Sequence, residues 1–97
     1  MKLSYKFDSR LMAEWTADSL ANDMKDILDR YGTVTVADVF DIMQMITLSQ
    51  GFYIYSKFAD TKYGWTKEQD LNINVFRERS WSNSTYGINL SDPIFLE

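Results

Sequence analysis

The sequence predicts an α+β domain, with two N-terminal helices packed on a small antiparallel sheet formed mainly by the C-terminal half. Three observations carry that expectation. Leu20, Met24, Ile27, Leu28 and Tyr31 recur at steps of three and four, which is one apolar stripe of a helix. A second stripe, Val36, Val39, Phe40 and Met43, follows directly after Gly32. Further along, the period changes to two. Leu71, Ile73 and Val75 alternate with Asn72, Asn74 and Phe76, and Tyr86, Ile88 and Leu90 share one side of the stretch 85–90.

Taken in order, Leu3-Ser4-Tyr5-Lys6-Phe7 alternates apolar and polar residues and suits a short strand. The first helix is expected over roughly 17–31, with a start as early as Asp8 or Ser9 left open; Leu11, Met12 and Trp15 have near-helical spacing, but the pattern falters at Thr16-Ala17-Asp18-Ser19. Asp18, Asn22, Lys25, Asp26 and Asp29 make its solvated side. Gly32 fits the left-handed position after the last turn. Thr35-Val36-Ala37-Asp38 resembles a capping box with Asp in place of Glu, opening the second helix after a three- or four-residue turn. Met45 to Leu48 extend that helix and Ser49-Gln50-Gly51 end it.

The stretch Phe52-Tyr53-Ile54-Tyr55-Ser56-Lys57-Phe58 has high β propensity without clean alternation, so a doubly buried strand and an ordered aromatic loop both fit. Asp60 to Thr66 reads as a turn, with Gly64 giving backbone freedom between Tyr63 and Trp65. Ser80-Trp81-Ser82-Asn83-Ser84 joins the last two strands. Pro93 ends regular pairing, and Ile94-Phe95-Leu96 is expected to tuck back onto the core.

Composition narrows the function. The 97 residues suit one domain over 1–97, and 45% hydrophobic content supplies a core. Histidine and cysteine are both absent, which removes the commonest general base, the usual nitrogen and sulfur metal ligands and any disulfide. A net charge of −4 argues against a nucleic-acid binder that relies on a basic surface. No apolar run is long enough for a transmembrane helix and the N-terminus lacks a signal-peptide core, so the expected location is the cytoplasm.

Candidate sites are few. Tyr63-Gly64-Trp65 fits either a recognition surface or a Trp65 that plugs the core, and the tendency of large aromatics to be buried favours the core. Trp81, in a polar turn, fits an exposed anchor as well as a side chain folded over the sheet. Tyr53 and Tyr55 add aromatic surface. Arg77 and Arg79, with Lys62 and Lys67, form the one basic concentration, in which Glu68, Asp70 and Glu78 are interspersed. Carboxylate pairs such as Asp26 with Asp29 and Asp38 with Asp41 are explained by solvated helix faces. No catalytic residue, metal or cofactor is expected. The partner-binding candidates are therefore Tyr53, Tyr55, Tyr63, Trp65, Arg77, Arg79 and Trp81.

Four motifs together resemble a small domain of phage and prophage proteins: Tyr31-Gly32, Val34-Thr35-Val36-Ala37-Asp38, Tyr63-Gly64-Trp65-Thr66, and the strand pair running from Asn72 to Pro93. The resemblance spans residues 20–96. The extra aromatics at Phe52 to Phe58 and a longer turn at Ser80 to Ser84 depart from it. It implies a fold and a phage-like origin. The expected function is then a non-enzymatic accessory protein that binds a host or phage protein in the host cytoplasm and inhibits a host or defence factor. The alternative is a structural or assembly component that self-associates as a homo-oligomer. A small enzyme working with carboxylates is the third class considered.

Overall fold

The structure, a computed structural model, describes residues 2–7, 9–49, 61–79 and 84–96, with side chains described at 7, 9–46, 61–79 and 84–96. Its elements run β1 (Lys2–Phe7), α1 (Arg10–Tyr31), β2 (Thr33–Thr35), α2 (Val36–Ser49), β3 (Tyr63–Thr66), β4 (Ile73–Arg79), β5 (Ser84–Leu90) and β6 (Ile94–Phe95). The class is α+β, as the sequence predicts. The described strands form two three-stranded antiparallel sheets rather than one, ordered β1-β5-β4 and β2-β3-β6. The segment Phe52 to Phe58, with Tyr53 and Tyr55, and the turn that carries Trp81 lie outside the described residues.

α1 takes the early start that the sequence also allows, because the stretch at residues 16–19 keeps small residues in phase with the core. Ala13, Thr16, Ala17, Leu20, Met24 and Leu28 are its buried residues. Thr16 hides its hydroxyl by donating it to the Met12 carbonyl at 2.8 Å, so a polar residue sits in the core without an unmet bond. Arg10 pairs with Glu14 and Asp26 with Arg30, both one turn apart on the exposed side. Gly32 closes the helix at φ 80°, and its N–H donates to the Leu28 carbonyl at 2.8 Å. Tyr31, counted with the apolar stripe, is exposed at the helix end.

The residues between the helices form more than a turn. Thr33, Val34 and Thr35 pair with Thr66, Trp65 and Gly64, so the connection is itself a strand of the second sheet. Thr35 then starts α2 through the expected reciprocal cap. Its backbone N–H donates to Asp38 Oδ2 at 3.0 Å, and the Asp38 N–H donates to Thr35 Oγ1 at 3.1 Å. Thr35→Ala is expected to lower stability by about 1 kcal/mol with an unchanged urea m-value, checked by equilibrium unfolding.

The core lies where α1 meets both sheets and α2. Leu20, Met24, Val39 and Met43 from the helices pack with Phe7, Val34, Trp65, Ile88 and Leu90 from the strands. β4 and β5 pair over their full length, from Ile73↔Leu90 to Arg79↔Ser84. The register of β1 against β5 slips between Leu3↔Ile88 and Phe7↔Tyr86. That slip still leaves Phe7 buried.

Candidate protein-binding surface

The small sheet carries two exposed aromatic residues, Tyr63 and Phe95. β3 is central in it, with β2 and β6 at its two edges. Residues 60–66, expected as a turn, contain the strand Tyr63–Thr66, and Gly64 is needed for space rather than for flexibility. A Cβ at Gly64 would fall on the Val34 carbonyl oxygen and 2.8 Å from the Thr35 Cα. The closeness of β2 to β3 thus depends on a residue with no side chain.

Trp65 is fully buried, which corrects its place among the partner-binding candidates. Its ring fills the core and its indole N–H donates to the Ser91 carbonyl at 2.9 Å, so both the apolar and the polar part are used internally. Two residues earlier on the strand, Tyr63 is 43% exposed. It pairs with Phe95 of β6, and the two rings meet edge to face with centroids 5.5 Å apart. Ile94 stands opposite Gly64, and the Leu96 N–H donates to the Lys62 carbonyl at 2.9 Å. Ile94 and Phe95 remain 43% and 50% exposed, so the C-terminal segment extends the sheet instead of tucking into the core. Tyr63 and Phe95 make an exposed aromatic pair on one face at a sheet edge, and Ile94 leaves on the other face. Among the described residues, no strand lies beyond that edge.

A second apolar area lies on α1. Leu11 and Trp15, one turn apart, are 76% and 54% exposed and point away from the buried stripe Ala13, Ala17, Leu20 and Met24.

Arg77 and Arg79 lie on one face of β4, both exposed, while Glu78 alternates to the other. Arg77 Nη2 donates to Ser84 Oγ on the neighbouring strand at 2.8 Å. Lys62 and Lys67 flank β3 of the other sheet, and Lys67 reaches the Asp29 carbonyl at 3.5 Å. The four basic residues are therefore split between β4 and the ends of β3. Of the carboxylates at helical spacing, Asp38 is a cap and Asp26 an ion-pair partner. Among the described residues, no group of three or more acidic side chains is placed to hold a metal ion. None of their helices is long and apolar enough to cross a membrane.

These features define an α+β protein whose most distinctive described surfaces are apolar. Compared with known proteins, the chain matches no family model, no curated protein and no solved structure.

Proposed function

We propose that the chain is a non-enzymatic accessory protein of a phage or prophage that acts in the host cytoplasm by binding another protein, and so inhibits a host or defence factor. One observation carries the binding role: the exposed Tyr63–Phe95 aromatic pair at an edge of the small sheet that no described strand covers. Large aromatic side chains held by a strand pair lose little further entropy on binding, which suits them as anchors. An apolar edge that stays wet also has an energetic cost, which a partner relieves. The phage setting rests on the motif resemblance, and the inhibitory role on that setting.

Capture from host lysate tests the reading. Immobilised wild-type protein is expected to retain a specific host protein. The double variant Tyr63→Ser/Phe95→Ser is expected to lose at least about tenfold of that affinity while unfolding at a similar temperature, since both residues are half exposed. Equal retention by the variant, or no retention by either protein, overturns the proposal.

A further inference from the structure

Among the described residues, β4 is an edge strand with no neighbour on its outer side. The order β1-β5-β4 gives it a neighbour on one side only. The Ser91 N–H donates to the Asn72 carbonyl at 3.0 Å, in line with the Ile73↔Leu90 register, so Asn72 directs its backbone groups toward the β5 side. Alternation assigns Asn74, Phe76 and Glu78 to the same set. The N–H and C=O groups of Ile73, Val75, Arg77 and Arg79 then point outward, where none of the described residues meets them.

The helix side of this edge carries a groove among the described residues. The groove, of about 250 Å³, runs between α1 and β4, bordered by Arg10, Glu14, Ala17 and Asp18 on the helix and by Ile73, Asn74 and Val75 on the strand. Three consecutive strand residues border it, as expected at an edge, because neighbouring side chains leave on opposite faces. Glu14 is held by Arg10 at 3.0 Å, whereas Asp18 has no ion-pair partner among the described residues.

We propose that β4 pairs antiparallel with β4 of a second copy about a two-fold axis at Phe76, seating Arg77 and Arg79 of each copy against the Glu14–Asp18 groove of the other. The register follows from the strand itself. Outward-pointing residues must face outward-pointing residues, so Ile73 meets Arg79, Val75 meets Arg77 and Phe76 meets itself. On the far face Asn74 meets Glu78. No like charges are directly opposed, and an aromatic pair sits on the axis. A shift of two residues one way sets Arg77 against Arg77; the other way carries Arg79 past the strand to Leu71. In the matched register the arginines arrive beside Ile73 and Val75, which border the groove where Arg10 answers Glu14 and Asp18 is left as the carboxylate for an incoming cation. This charge match favours a second copy over an unrelated peptide. The surface is separate from the Tyr63–Phe95 edge, so the proposal stands independently of the reading above.

Sedimentation equilibrium of the full chain tests it, with three variants. The wild type is expected to show a concentration-dependent dimer that weakens as salt is raised. Val75→Pro removes an N–H that points outward, so the β4–β5 ladder survives, far-UV circular dichroism is unchanged and dimerisation weakens about tenfold or more. Asp18→Arg and Arg79→Asp are each expected to be monomeric alone, because each sets like charges together across the axis. Mixed in equal amounts, they are expected to associate, since both contacts are then complementary. A wild type that stays monomeric at high concentration overturns the proposal. So does a dimer that survives all the variants, or a mixture that stays monomeric. If Val75→Pro fails to fold, the charge-swap pair decides.

Discussion

Gly64→Ala is expected to destabilise the protein by about 3 kcal/mol or more, a large share of the ~5–15 kcal/mol typical of a domain. The added methyl would meet backbone on every near side. It would fall on the Val34 carbonyl oxygen, with the Val34 carbonyl carbon 2.9 Å away and the Thr35 Cα 2.8 Å away. A flexible side chain could turn aside, but here β2 itself would have to move. Thr35 caps α2, so the displacement would pull on the helix start as well as on the sheet. Gly32→Ala is the control. It is strained by its φ of 80° but meets open space, so a cost near 1 kcal/mol is expected. Thermal unfolding separates the two, since each kcal/mol lowers the midpoint by roughly 4–8 °C in a domain of this size. A Gly64→Ala protein as stable as the Gly32→Ala protein would show that the close approach does not limit stability.

What could be read from the sequence divides along physical lines. Local signals were legible. The Thr35–Asp38 cap, the glycine after Tyr31 and the alternation over β4 and β5 each depend on residues near in sequence, and each forms as expected. Relations between distant residues were not. Tyr63-Gly64-Trp65 has the look of a turn, and nothing local reveals that β2 lies against it at backbone distance. Ile94 and Phe95 look like core residues until their pairing with β3 places them on an edge. Leu11 and Trp15 were decidable in principle. Extending the stripe back from Leu20 by three and four leads to Ala17, Thr16 and Ala13, which leaves Leu11 and Trp15 out of phase with the core. Arg77 and Arg79 fall on one face by alternation alone, but the groove beside that face is made by α1, far away in sequence.

Trp65→Ala is expected to cost about 3–5 kcal/mol, near the limit of what a domain of this size withstands. Two effects combine. The first is the volume of a side chain with no measurable exposure, in a core shared by Val34, Ile88 and Leu90. The second is the bond from its indole N–H to the Ser91 carbonyl. Ser91 is the residue that ends the β4–β5 ladder: its N–H donates to the Asn72 carbonyl, and its hydroxyl accepts from the Asn72 N–H and donates to the Asp70 carbonyl. Trp65 therefore links the second sheet to the end of the first through one carbonyl that the ladder leaves available. Trp65→Phe separates the two effects, because it keeps most of the apolar volume and leaves that carbonyl without its donor. A destabilisation of about 2 kcal/mol is expected for it, from the smaller cavity and the unmet acceptor. Hydrogen exchange carries the structural part of the test. In Trp65→Phe, the amides of Ser91 and Asn72 are expected to exchange faster than those in the middle of β5, because the indole bond is anchored at the ladder's end. Uniform acceleration across both sheets would instead mean that Trp65 contributes bulk packing alone, and that its bond to Ser91 does not couple the two sheets.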